Sequence, residues 1–199
     1  MKKVNLIFFL TALFVVLLDQ STKIYIKLSY PLGYEVRWVG NWLKLHYVEN
    51  PGAAFGLSFS WLFPPNSPAA EVGSKVLLTL VSLAIGLGIG LYLYRLVRSN
   101  PPLALPAGLI VGGAIGNLID RCFYGVLFAE RNAYMGGWLQ GQVVDFIYLD
   151  LWQGVVPSWV PLLGGEYVAL WPIFNIADSC ISIGVVWLLV REVWAKQSG

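Results

Sequence analysis

The stretch VNLIFFLTALFVVLLDQSTKIYIKLS, residues 4–29, decides the fold. Its first part is apolar apart from Asn5 and Thr11 and follows Lys2 and Lys3, which is how a secretory signal begins. The exit is different. No small-x-small cleavage site follows, and Asp19-Gln20-Ser21-Thr22-Lys23 runs into Ile24-Tyr25-Ile26 with helical periodicity intact. We therefore read 4–29 as an uncleaved first transmembrane helix with ionisable groups inside its span.

The rest of the chain extends this reading. Hydrophobic residues make up 57% and charged ones only 12%, far below the roughly 25% charged of a soluble domain. Further spans are expected at about 75–98, 103–124 and 173–194, each close to the roughly 20 residues that cross a bilayer. The expectation is a mainly α membrane protein: one domain over 1–199, a four-transmembrane-helix bundle with extracytoplasmic segments at about 30–74 and 125–172. In the first segment, alternation at 35–39 and 42–47 around Gly40-Asn41 predicts a small β-hairpin, and Asn50-Pro51-Gly52 breaks it. Pro64-Pro65-Asn66-Ser67-Pro68 reads as an irregular loop. The second segment is Gly- and Trp-rich, with a possible strand at 142–149. Gly86 with Gly90, and Gly112 with Gly116, have the spacing that lets helix backbones approach in lipid.

Several function classes are excluded early. A net charge of +2 with scattered basic residues does not make a nucleic-acid surface. Cys122 and Cys180 lack the spacing of a metal or redox motif and read as packing residues. The single histidine, His46, lies in the strand-like run 42–48, reads as structural and argues against a histidine metal centre. No metal and no other cofactor is expected. Lys2, Lys3, Arg95, Arg98, Arg191 and Lys196 sit in short stretches beside helix ends, which places both termini in the cytoplasm. Trp138, Trp152, Trp159 and Trp171 are expected at the headgroup level of the membrane lipids.

With that topology Asp19, Asp120 and Asp178 fall at one depth, near the outer ends of their spans. Each has a polar companion at helical spacing: Lys23 for Asp19, Asn117 for Asp120 and Asn175 for Asp178. Asp19 with Lys23 reads as a structural ion pair, and Arg121 could serve Asp120 in the same way or bridge to a neighbouring element. Asp178 has no local cation. Asp145, in Val143-Val144-Asp145-Phe146-Ile147, has none either. Two such carboxylates together in a low-dielectric site share a proton, the electronic requirement of an aspartic peptidase. The residues alone leave both that enzyme and a structural polar cluster open.

The motif series is more specific. In order, the chain carries Asp19-Gln20-Ser21-Thr22-Lys23, Asn50-Pro51-Gly52-Ala53-Ala54-Phe55-Gly56, Gly116-Asn117-Leu118-Ile119-Asp120-Arg121, Val144-Asp145-Phe146 and Phe174-Asn175-Ile176-Ala177-Asp178-Ser179. This series resembles the lipoprotein (type II) signal peptidases of the bacterial inner membrane across nearly the whole chain. The resemblance implies cleavage of prolipoproteins on the amino side of a diacylglyceryl-modified cysteine, with Asp145 and Asp178 as the catalytic pair and no metal. It also implies that Asn50, Gly52, Ala54, Phe55, Asn117, Asp120, Arg121 and Asn175 bind substrate or support the site, and that Asp19 and Lys23 brace it. The segment near 34–59 would correspond to the family's β cradle. A monomer that contacts membrane lipids and binds the family's cyclic-peptide inhibitors is expected. The stretches between Arg121 and Asp145, and between Asp145 and Phe174, are longer than in compact members, so Asp150 and Asp120 compete with Asp145 on spacing. Two rival functions stay in view: a small transporter or proton relay, which would carry polar groups through the full depth, and an assembly factor whose Asn and Asp residues only fasten helices.

Overall fold

The computed structural model describes residues 2–52, 59–64, 67–134, 136–159, 164–165, 167–169 and 171–197. Helix α1 (Lys2–Ser29) leads into strands β1 (Glu35–Val39) and β2 (Leu43–Asn50). Helix α2 (Pro68–Ser99) follows, then α3 (Ala104–Ile119), a π-helical turn (Asp120–Tyr124) and the single turn α4 (Gly125–Leu127). Strands β3 (Val143–Leu149), β4 (Gln153–Val155) and β5 (Tyr167–Ala169) precede α5 (Ile176–Gln197). Among the described residues, three helical stretches are long and apolar enough to cross a membrane: Leu6–Ser29, Ala70–Ser99 and Pro101–Leu127.

Helix α1 inverts the soluble pattern. Phe8, Ala12, Val15, Asp19, Lys23 and Ile26 recur at helical spacing on the buried face, while Leu10, Leu13, Phe14 and Leu17 are exposed. Large apolar side chains outside and charges inside are what a lipid solvent requires. Helix α3 is the central member and packs on α1, α2 and α5, whereas among the described residues α2 and α5 touch one another slightly at most. Its glycines set the distances. A Cβ at Gly112 would lie 2.7 Å from the Ala12 carbonyl oxygen, and one at Gly184 of α5 would lie 2.7 Å from the Pro106 carbonyl oxygen. The backbones approach because nothing projects between them.

The sheet has the order β1-β2-β3, all antiparallel. Between the pairs Leu45↔Ile147 and Val48↔Asp145, β2 uses one residue more than β3, which is a bulge. Leu45, Tyr47, Val144 and Phe146 pack with Ile26 of α1 and Tyr124 in one core. The opposite face of β3 presents Asp145.

Four expectations are corrected. Helix α2 starts at Pro68 instead of about 75, because Ser67 is its N-cap, with Oγ accepting from Ala70 N at 3.1 Å, and Pro68 suits the first turn. Helix α5 starts at Ile176 instead of about 173. Phe174 is held outside it by β-type bonding to β3, with its N donating to Ile147 O at 3.0 Å and its O accepting from Ile147 N at 2.8 Å. A Cβ at Gly90 would meet nothing within 4 Å, so the Gly86/Gly90 pair is not a helix contact; Gly86 faces only Leu118. The long segment before α5 also holds a second sheet, β4 with β5, where only loop was expected.

Candidate active site

The site is built on a buried ion cluster. Lys23 Nζ lies 2.9 Å from Asp19 Oδ2, 2.9 Å from Asp120 Oδ2 and 2.8 Å from Asn117 Oδ1, and all three charged side chains are 0% exposed. The carboxylates are further satisfied by backbone. Asp19 Oδ1 accepts from Ala177 N at 3.0 Å, one of the orphan amides in the first turn of α5, and Asp120 Oδ2 accepts from Val144 N at 3.2 Å in β3. Gln20, which sequence reasoning did not single out, donates to Asp120 Oδ1 at 2.9 Å and accepts from the Tyr124 hydroxyl at 3.1 Å. One lysine and two aspartates thus fasten α1, α3, β3 and α5 together.

Asp120 takes its cation from Lys23, and Arg121 does not pair with it. The π turn at Asp120–Tyr124 inserts an extra residue into the helical repeat. Asp120 bonds inward to α1, while Arg121 Nη2 donates to Gly52 O at 2.6 Å. Gly52 N in turn donates to Asn50 Oδ1 at 3.0 Å, so the Asn50-Pro51-Gly52 turn is tied to α3.

Asn175 and Asp178 form a reciprocal cap rather than a pair on one helical face. Asp178 N donates to Asn175 Oδ1 at 3.0 Å, and Asn175 N donates to Asp178 Oδ2 at 3.2 Å. Asp178 Oδ1 accepts from Asn117 Nδ2 at 2.8 Å. Asp145, 3% exposed, accepts from Asn175 Nδ2 at 2.7 Å and from Asn50 Nδ2 at 3.2 Å. Asn175 therefore touches both aspartates and also donates to Asn117 Oδ1 at 3.1 Å. Burial, and then the negative charge of Asp178, push the Asp145 carboxyl up from 3.8 to about 7, against the opposing bonds from Asn50 and Asn175 and the charge of Lys23.

Asp145 and Asp178 open on one groove of about 870 Å³. Its walls are mainly apolar, with Ile85, Gly86 and Ile89 of α2 facing Ile181 of α5 and with Leu149 and Trp171 beside the strand. The groove occupies the gap that α2 and α5 leave. Asp150 is elsewhere, with Oδ2 2.7 Å from Lys44 Nζ. His46 does not line the groove; it packs edge-on against Tyr148. Ala54 and Phe55 lie outside the described residues. Among the described residues no group of three or more His, Cys, Asp or Glu side chains is arranged to hold a metal ion.

The family profile of signal peptidase (SPase) II matches residues 11–194. A lipoprotein signal peptidase of Porphyromonas gingivalis is 42% identical over 196 residues, covering 90% of this chain and 80% of the relative. That of Amoebophilus asiaticus is 37% identical over 193 residues, covering 93% and 77%. A solved structure described as a bacterial membrane enzyme superposes with a TM-score of 0.62 at 25% identity, covering all of this chain and 92% of its own. A profile spanning most of the chain and relatives matched along most of their length lead to one assignment: this chain belongs to the signal peptidase II family and is an integral membrane protease.

Proposed function

We propose that this protein removes signal peptides from prolipoproteins, cutting on the amino side of a diacylglyceryl-modified cysteine with Asp145 and Asp178 as an aspartic pair. One observation carries the proposal. The two carboxylates come from different elements, share Asn175, open on one apolar groove and, among the described residues, have no salt-bridged cation. The neutralised pair, Asp19 with Asp120, has no such access.

The carboxylates have different tasks. Asp178 sits in the first turn of α5, where the positive end of the helix favours an anion, so it is the base. Asp145, pushed up to about 7, keeps its proton and is the acid. Asp178 takes a proton from water, whose oxygen attacks the scissile carbonyl carbon, while Asp145 gives its proton to the carbonyl oxygen. The resulting gem-diol breaks its C–N bond as Asp178 returns a proton to the leaving nitrogen and Asp145 recovers one from a hydroxyl. Arg121, and Asn117 and Asn175 through their bonds to the pair, supply fixed electrostatic support.

The apolar groove fits the lipid chains of the substrate, which would slide in between α2 and α5 from the bilayer. The same groove would accept the family's cyclic-peptide inhibitors. We place both termini in the cytoplasm, α5 as the fourth span of a single monomeric domain, and the sheet with the site at the outer face. The test is incubation of the purified protein with a synthetic lipidated precursor. Mass spectrometry should find a free signal peptide and a new amino terminus at the lipidated cysteine, while the unlipidated precursor stays intact. Equal cleavage of both precursors would refute lipid recognition by the groove.

A further inference from the structure

One helical turn beyond Lys23, α1 carries a second buried cation outside the site. Lys27 pairs with Glu49 of β2, and the Tyr47 hydroxyl donates to the same Glu49 Oε1. The Lys27 and Glu49 side chains are 2% and 3% exposed, and the Lys27 ammonium lies 5.4 Å from the centre of the Phe128 ring. Burying such a pair costs desolvation that its attraction barely returns, so its value is better sought in geometry than in stability. None of the three residues lines the groove.

Strand alternation supplies the link. Glu49 stands opposite Val144 on the face turned to α1, together with Leu45 and Tyr47, and the next residue, Asn50, projects to the other face with Asp145. Val144 is itself fixed by its N–H to Asp120 and by its carbonyl, which accepts from Asn175 Nδ2 at 3.4 Å. Clamping Glu49 to α1 therefore sets the height at which Asn50 Nδ2 meets Asp145 Oδ2. On the other branch Lys23 holds Asn117, which holds Asp178.

We infer that Lys27, Glu49 and Tyr47 are positioning residues for Asp145, holding the end of β2 against α1 so that Asn50 stays within hydrogen-bonding reach of it; this rests on the assignment of Asp145 to the reacting pair. Two lysines one turn apart on α1 thus set both carboxylates, each through an asparagine.

The experiment is a double-mutant cycle on the lipidated precursor. Glu49→Gln should lower kcat about tenfold with KM within about twofold, since sub-ångström misplacement of a reacting group is costly. The bond from Asn50 favours the ionised form of Asp145, so loosening it should move the alkaline limb of the kcat profile to higher pH. Tyr47→Phe, which keeps the ring, should act in the same direction by about threefold. In an Asn50→Ala background both substitutions should lose their effect, because they act through Asn50. If Glu49→Gln does not fold, the cycle of Tyr47→Phe with Asn50→Ala decides alone. Folded variants with unchanged kcat and an unmoved limb, or effects undiminished in the Asn50→Ala background, overturn the inference. Asp145→Asn measured in parallel separates the levels. An active Asp145→Asn removes the pair itself, whereas an inactive one beside an unaltered Glu49→Gln removes only the positioning role.

Discussion

Two pairs of aspartates lie within one site and differ in their partners and in their access. Asp19 and Asp120 share Lys23 and are 0% exposed; Asp145 and Asp178 share only the amide donors of asparagines and open on a groove. A carboxylate bridged by a cation and closed off from the groove is placed to join elements of the fold rather than to meet substrate. One offered only neutral donors, beside another carboxylate, retains a proton that it can exchange. On the proposed mechanism, one sequence uses the same side chain as a rivet and as a reagent.

The sharpest way to break the comparison is to neutralise the reactive pair. Asp145→Asn and Asp178→Asn should each lower turnover by about three orders of magnitude or more with folded yield preserved, and the double variant should be hardly worse than either. Asp150→Asn, whose side chain contacts Lys44 and Gln153 and does not line the groove, should stay near wild type. Turnover on the lipidated precursor measures all four. Retained activity in both single variants would end the aspartic mechanism.

The opposite outcome is expected at the rivet. Lys23→Met leaves two buried carboxylates without their cation and should cost about 3–5 kcal/mol, seen as lost folded yield in detergent. Adding Asp120→Asn should recover part of it. If Lys23→Met folds normally and is merely inactive, the two pairs are not divided as described.

Glycine contacts offer a smaller test of the bundle that carries both pairs. Gly112→Ala pushes a methyl into the Ala12 carbonyl and should cost about 1–3 kcal/mol. Gly90→Ala meets open space and should be neutral or stabilising by up to about 1 kcal/mol. Thermal unfolding in detergent compares them.

The smallest effect is on pH. Turnover should fall as pH rises through about 7, where Asp145 loses the proton it needs as an acid. The same shift predicts stability. A carboxyl raised from 3.8 to about 7 binds its proton more tightly in the folded state, so its contribution is full below 3.8 and is lost as pH rises through about 7. Asp145→Asn removes that penalty and should melt above the wild type at pH 8, by roughly a few degrees, with the gap closing towards pH 4.

Much of this was legible in the chain. The period of α1, with Asp19 and Lys23 on one face, predicted both the span and the ion pair, because i,i+4 spacing is a local property. The strand at 35–39 was visible from alternation, and the possible strand at 142–149 matches β3 to within a residue. The start of α2 was also written locally, in Ser67-Pro68, but the proline-rich run around it read as loop. The partner of Asp120 was not legible. Adjacent Arg121 was the natural candidate, and only the π turn, a distortion fixed by packing, separates the two. Gln20 showed no sequence signal beyond its place in a polar motif.

The sequence by itself determined a membrane protein, the series of motif residues and the local pairs among them, since composition and helical period act over a few residues. Only the tertiary structure decided that Lys23 also neutralises Asp120, that Asp19 and Asp120 reach the backbone of α5 and β3, and that Asn175 beside Asp178 reaches Asp145 of β3. Those facts depend on partners 24 to 158 residues apart, such as Val144 with Asp120 and Ala177 with Asp19, and no local rule specifies a contact at that distance.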